Sequence, residues 1–298
     1  MQQAEISRII DRTRQLVVDR YVFPDIGERL GKLLADQLDT GRYDGAADPA
    51  ELSALVTADL QSINNDLHLR LKHHDVEIPD LPGDAAIRAM MARDTAETMG
   101  GIARVERLSG NVAVLAIEPV LFEPDVAGES QIAAMQLIAP AAALIIDLRG
   151  CRGGSPGSVA LVCSYLLDEP THLMSFYERE GERTSQSWTL PYVPGPRFGG
   201  SKPVFVLTSA TTFSGGEELA YDLQQLGRAT LVGETTGGGA HPRIGERLHP
   251  HLEATIPTAR SFHPISGTNW EGVGVRPDVP TRPADALAEA HRRAIEPR

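Results

Sequence analysis

Cysteine is almost absent: the 298 residues contain two, Cys151 and Cys163. Two thiols cannot build a disulfide framework, and a count this low suits a reducing compartment, so the cytoplasm is the expected location. Long apolar runs are missing as well. No stretch approaches the ~18 apolar residues that span a bilayer, and the start Met1-Gln2-Gln3-Ala4-Glu5-Ile6 lacks the basic and apolar regions of a secretory signal. Membrane insertion is not expected. Positive charge is in deficit, 28 basic against 40 acidic residues, for a formal net charge of −12 with histidine neutral. Such a chain repels phosphate, so nucleic acid is not an expected partner. No Gly-Lys-Ser/Thr closes a phosphate loop, and the glycine spacing of a dinucleotide site is absent. The pairs His73-His74 and His249-Pro250-His251 have no third Cys, His or carboxylate at a recognised ligand spacing, so neither metal nor another cofactor is expected. There is no internal repeat and no low-complexity tract.

What remains is an ordinary globular composition, 42% hydrophobic and 23% charged, sufficient for one large core or a core plus a smaller domain. From Ile6 to about Leu60 apolar residues recur at helical spacing, as in Ile9, Ile10, Leu16, Val17 and then Leu30, Leu33, Leu34, Leu38. Pro24 separates the first helix from the second, and Asp48-Pro49 supplies a cap and a first-turn proline for a third through Leu60. A Pro/Gly/Asp-rich joint at Ile78 to Asp84 follows. The texture then changes to short aliphatic runs alternating with helical patterns, which is α/β. Val112–Ile117, Leu144–Leu148, Val204–Thr208 and Ala229–Gly233 read as buried strands. Gly128 to Ala139, Ser155 to Leu167, Ser214 to Leu226 and a segment after Pro283 read as helices. Glu178 to Lys202, around Trp188, is too long for a bare connection and reads as a hairpin or a cover over a site. The expected division is a helical domain over 1–75 and an α/β core over 76–298.

Three segments could carry chemistry. In Thr208-Ser209-Ala210-Thr211-Thr212-Phe213-Ser214-Gly215-Gly216-Glu217, a strand end runs into a helix start with Ser214 at the junction. A hydroxyl there is exposed, and the following amides and the helix dipole favour a neighbouring oxyanion. The same residues also spell a capping box, Ser214 with Glu217 three residues on, which needs no chemistry at all. Asp147-Leu148-Arg149-Gly150-Cys151-Arg152-Gly153-Gly154-Ser155-Pro156 is a second strand-to-helix entrance whose glycines let main-chain N–H groups converge on an anion. Its structural alternative is a tight turn with Ser155 as cap. Cys151 has no activating base nearby in sequence and reads as a bystander. Asn65-Asp66-Leu67-His68-Leu69-Arg70-Leu71 alternates polar and apolar residues, predicting a short strand with Asp66, His68 and Arg70 on one face. His68 is either a structural histidine or the base that a serine nucleophile requires at neutral pH.

Taken in order, these blocks resemble the tail-specific, or C-terminal-processing, serine peptidase family S41, most closely its branch related to interphotoreceptor retinoid-binding protein. The resemblance runs through Tyr21-Val22-Phe23-Pro24, Asp66 to Leu69, Arg104 to Val112, Leu144 to Gly154, Leu207 to Glu217, Arg228 to Pro242 and Asn269-Trp270-Glu271-Gly272-Val273-Gly274-Val275-Arg276-Pro277-Asp278. It implies a core of stacked ββα units of the crotonase and Clp peptidase type with a helical N-terminal domain. Many relatives pair serine with a lysine from the glycine-rich loop. Here that loop, Gly233 to His241, holds no lysine. The resemblance to the tricorn core protease implies Ser214 as nucleophile, His68 as the base that takes and returns its proton, and Glu271 as support. It implies an oxyanion hole from the amides of Gly153 and Gly215, with Gly154 as alternative, and His241 and Arg70 as auxiliary groups. No segment resembles a PDZ domain. The implied activity is hydrolysis of peptide or peptide-like amide or ester bonds, with a peptide or small molecule as substrate and a homo-oligomer compatible with it. The alternatives on the same scaffold are a carrier of an apolar small molecule and a biosynthetic acyl-processing or cyclising enzyme.

Overall fold

The computed structural model describes residues 1–80 and 84–296. The chain forms two compact units, one of Met1–Leu81, Phe176–Ser185 and His241–Ser261, the other of Pro82–Ser175, Gln186–Ala240 and Phe262–Arg298. Within the expected joint, Leu81 to Gly83 lie outside the described residues.

In the first unit, helices Gln3–Arg20, Pro24–Asp39 and Pro49–Gln61 follow the apolar spacing of the sequence. Asp48 caps the third, accepting from the Glu51 N–H at 2.9 Å, with Pro49 in the first turn where its missing N–H costs nothing. A three-stranded antiparallel sheet in the order Arg70–His73, Leu252–Pro257, Arg243–His249 completes the unit. Ile6, Ile10, Val17, Leu30, Leu34, Leu52, Val56 and Leu60 pack with Leu69, Leu71, Leu252, Ala254 and Ile256 in one core. Each fully buried Leu or Ile there contributes roughly 1.5–3 kcal/mol.

The expected strand over Asn65–Leu71 is not formed as such. Pairing begins only at Arg70, opposite Thr255. Asn65 takes φ 52°, the Leu69 N–H closes a turn on the Asp66 carbonyl at 3.1 Å, and Asp66 Oδ1 accepts the His68 N–H at 3.1 Å. A short Asp side chain that satisfies the backbone two residues on makes a turn out of an alternating pattern.

The second unit is built on a six-stranded sheet in the order Val279–Pro280, Thr230–Gly233, Val204–Thr208, Ala143–Asp147, Val112–Ile117, Ile102–Leu108. All neighbours are parallel except the last pair. Continuous aliphatic runs suit parallel strands covered on both faces. Val112, Val114, Ala143, Ile145, Phe205, Leu207 and Val232 pack on Ala286 and Ala290 of the closing helix Pro283–Ile295. The alternate residues, Leu115, Leu144, Ile146, Val206 and Leu231, are equally buried. Helices Pro124–Ile138, Pro156–Leu166 and Gly215–Gln225 pack in succession against one another. Between Ile78 and Ile102 the described residues hold one helix, Asp84–Glu97, and a single 3-10 turn, with no β-domain of PDZ type. The segment after Glu178 contains the strand Arg183–Trp188, which lies beside His172–Glu178, followed by irregular chain.

Candidate active site

In the second unit the site is made of loops at the carboxyl ends of the parallel strands, where open α/β sheets present their chemistry. The strand Val204–Thr208 leads into residues 209–213, which are tied to the neighbouring strand's loop. Thr212 Oγ1 donates to the Leu148 carbonyl at 2.8 Å, Ser209 Oγ and Thr211 Oγ1 each donate to the Arg149 carbonyl at 2.8 Å, and the Phe213 N–H donates to the Cys151 carbonyl at 3.1 Å. The chain is thereby delivered into Ser214 at φ 50° and ψ −122°, just before helix Gly215–Gln225. That region is sparsely populated for a side chain with a Cβ and costs about 1–3 kcal/mol, a strain typical of nucleophiles set on a sharp strand-to-helix turn.

The glycine-rich loop lies against this turn. Gly153 sits at φ 137°, and a Cβ there would fall 3.1 Å from the Ser214 Cβ. A Cβ on Gly215 would fall 2.5 Å from the Gly154 carbonyl oxygen. Main chain alone therefore fits on both sides of Ser214. Among the described residues the N–H groups of Gly154 and Gly215 enter no hydrogen bond, and that of Gly153 faces the Cys151 sulfur. Cys151 is fully buried and its thiol is pushed up to about 11 by burial, which fits a bystander.

Glu217 does more than a capping box asks. Its carboxylate accepts the Ser214 N–H at 2.8 Å, the box's return bond, and also the Thr236 hydroxyl at 2.5 Å and the N–H groups of Gly238 and Gly239 at 2.7 and 2.9 Å. Complete burial raises its pKa, and these four donors oppose the rise. One side chain thus fixes the helix entrance to the lysine-free loop. Glu271 accepts the Ala240 N–H at 2.5 Å, and Trp270 Nε1–H donates to the Gly239 carbonyl at 2.9 Å. The late block that carries Glu271 is therefore bonded to the same loop as Glu217.

In the first unit His68 is buried, and burial lowers its pKa to about 4 against the raising effect of the Asp66 charge. Its ring is neutral at pH 7 and able to accept a proton. His241 is also buried, with Nδ1 at 2.8 Å from Asp66 Oδ2. Asp66 further accepts the Tyr21 hydroxyl at 2.9 Å. Arg70 is half buried, its pKa lowered chiefly by that burial.

The structure thus brings Gly153, Gly154, Ser214 and Gly215 together in the second unit, and Asp66, His68 and His241 in the first. Two functional groups escaped the sequence reading. Glu217 was legible only as a cap, and Asp66 only as a member of a strand face, although Asp-x-His is the spacing that lets a carboxylate hold the second residue's N–H.

Comparison with known proteins places these observations. The profile of Peptidase family S41 matches residues 112–281. That of the N-terminal domain of the same family in eukaryotic interphotoreceptor retinoid-binding protein matches residues 2–105. Among solved structures, mature CPAF complexed with lactacystin superposes with a TM-score of 0.64 at 11% identity over 98% of this chain and 97% of that one. The photosystem II D1 C-terminal processing protease gives 0.54 at 15% identity, over 99% and 98%. The tricorn protease gives 0.58 at 15% identity over 96% of this chain, which spans 35% of that larger one. At such identities the likeness is one of fold.

Proposed function

The chain belongs to peptidase family S41, and from that premise we propose that it is a serine hydrolase acting on peptide or peptide-like amide and ester bonds. Ser214 is the nucleophile, His68 the base and Glu271 the support of the glycine-rich loop. The observation that carries the reading is the strained Ser214 backbone, φ 50°, packed against the main chain of Gly153 and followed by a Gly215 amide that enters no hydrogen bond among the described residues. A cap alone has no need of that conformation, since an N-cap residue is ordinarily extended.

In the proposed reaction Ser214 Oγ gives its proton to neutral His68 and attacks the substrate carbonyl. The oxyanion so formed is held by the Gly153 and Gly215 amides, with Gly154 as the alternative donor; one such donor is worth about 3 kcal/mol of barrier. Collapse expels the amine or alcohol, which takes the proton from His68, and water, giving a proton to His68 as it attacks, releases the acyl group while His68 returns that proton to Ser214 Oγ. Arg70 and His241 line the polar surroundings of His68 in its own unit. A peptide or a small peptide-like molecule is the proposed substrate, and the cytoplasm the proposed compartment. No described helix is long and apolar enough to cross a membrane.

The reading is tested by turnover on a panel of peptide amides and esters. Ser214→Ala and His68→Ala are each expected to lose at least about 1,000-fold in kcat. Unchanged turnover in either variant refutes that residue's role. In the larger unit a 460 Å³ cavity is lined by Glu118, Asp147, Arg149 and Glu234 together with Ile117, Ala210 and Pro283, a mixed surface that does not by itself favour an apolar cargo.

A further inference from the structure

Two acidic side chains on the nucleophile's own helix are buried without hydrogen-bonding support. Glu218 and Asp222 stand one turn apart on helix Gly215–Gln225 and are 4% and 0% exposed. Glu218 Oε1 and both Asp222 oxygens are buried, and no described residue donates a hydrogen bond to them. Glu217, one position earlier, has four donors. Among the described residues no lysine or arginine pairs with either carboxyl group. The nearest basic group is fully buried His263, with Nε2 at 3.9 Å from Asp222 Oδ1, beyond hydrogen-bond reach. Burial, with the His172 charge adding to it, lowers the His263 pKa to about 4, so this ring is neutral at pH 7. From the packed helix Pro156–Leu166 comes the buried thiol of Cys163, whose pKa is raised by burial and then by Asp222 and Glu218. Arg228 opposes that rise, but its guanidinium donates to the Leu166 and Gly199 carbonyls at 2.6 and 2.7 Å. The adjoining strand Thr230–Gly233 carries no titratable side chain. A carboxylate charge in such a place is costly, and two within one turn repel, so the pair keeps its protons. Burial raises the Glu218 pKa to about 8, and burial followed by the Glu218 charge holds Asp222 well above the usual carboxylate range. Glu218 ionises first, since the helix dipole favours an anion in the first turn and opposes one in the last.

The Glu218 N–H donates to the Ser214 carbonyl at 2.9 Å, so a displacement of Glu218 is passed to the nucleophile's backbone. We propose that Glu218 is a positioning residue for Ser214, and that its buried, unsupported side chain keeps the nucleophile's turn in working geometry only as the neutral acid. The inference rests on the serine hydrolase reading for its effect on turnover and gives that site an alkaline limit. As pH rises, the Glu218 carboxyl O–H gives its proton to solvent hydroxide, forming water, and leaves an anion with no protein donor. The anion is relieved by moving toward solvent, which draws the first turn of the helix and the Ser214 carbonyl with it.

The proposal is read from kcat on a peptide amide between about pH 6 and about pH 10. Above about pH 8, wild-type kcat is expected to fall about tenfold per pH unit. His68, lowered to about 4, titrates on the other side of neutrality and does not produce that limb. Glu218→Gln cannot ionise, and its kcat is expected to change by less than about 3-fold from about pH 7 to about pH 9.5. Asp222→Asn mimics the acid that stays protonated and is expected to keep the limb. A limb that survives in Glu218→Gln, or a wild-type kcat that is flat to about pH 10, would overturn the proposal. If the amide is not turned over, the rate of Ser214 labelling by a fluorophosphonate is read in place of kcat, with the same expectations. If Ser214 takes no label either, the hydrolase reading has failed by itself, and NMR of the wild-type protein decides the positioning separately. The Glu218 carboxyl ¹³C resonance is expected to titrate near pH 8, with the Ser214 amide resonance moving in step. A carboxyl already ionised at about pH 6, or a Ser214 amide that stays still while Glu218 titrates, refutes it.

Discussion

Replacing Glu217 by Gln tests how the nucleophile is held. The carboxylate satisfies four donors, two on each oxygen: Ser214 N–H and Gly239 N–H on Oε2, the Thr236 hydroxyl and Gly238 N–H on Oε1. Glutamine keeps the shape but offers one acceptor oxygen and turns the other position into a donor. Whichever way the amide is placed, two donors lose their acceptor and at least one main-chain N–H faces another N–H. A buried orphaned donor costs about 1–3 kcal/mol, so two cost about 2–6 kcal/mol. Part of this is recovered because the pKa of Glu217 is raised by burial and its charge is expensive to keep. A net destabilisation of about 2–4 kcal/mol is expected in urea unfolding. Because the Ser214 N–H is one of the four, kcat is expected to fall at least about 100-fold with KM little changed. A variant less than about 0.5 kcal/mol weaker than wild type, with kcat intact, would refute the claim that this one carboxylate holds the turn and the loop together.

Ser214→Gly removes the Cβ from a strained position and is expected to raise stability by about 1–3 kcal/mol while abolishing turnover; a loss of stability would show the backbone to be unstrained. The His68 pKa is about 4 folded against 6.5 unfolded, so the unfolded chain binds the extra proton between those values and stability rises with pH across that window. Unfolding between pH 4 and 6.5 should show this rise, worth up to about 3 kcal/mol, and His68→Gln should flatten it; an unchanged slope refutes the buried neutral ring. Glu218 has the opposite sign, its pKa raised by burial to about 8 from 4.5, so stability falls as pH rises through that interval. Glu218→Gln should therefore gain on wild type at pH 8 and not at pH 4, as paired melts at the two pH values would show. Both cysteines are buried with raised pKa values, so native protein at pH 8 should present no fast thiol to a disulfide reagent, and a rapid reaction would contradict their placement.

The parts of the fold that the sequence displays are those in which local chemistry and tertiary packing agree. Asp48-Pro49 marks a helix start because the cap and the spare proline N–H are satisfied within one turn. The aliphatic runs at Val112 and Val204 match strands at Val112–Ile117 and Val204–Thr208 because both faces of the sheet are covered. Where a side chain competes with the backbone, the pattern misleads, as at Asp66, which makes a turn of an alternating segment. The strands Arg243–His249 and Leu252–Pro257 escape a reading by periodicity because Gly245 and the part-buried Glu246 interrupt the apolar positions of the first and a bulge shifts the register of the second. Ser214, Gly153 and Gly215 are visible because each sits at a strand-to-helix junction with its own signature. The Asp66–His241 bond joins residues 175 positions apart, and no local pattern can announce it.

The central claim is that Ser214 is a reactive nucleophile, and it is tested most directly by treating the folded protein with a fluorophosphonate and mapping the adduct by peptide mass spectrometry. The account predicts one phosphonylated residue, Ser214, with the adduct lost in Ser214→Ala and slowed in His68→Ala. A folded protein that takes no label, or takes it on another residue, would contradict it.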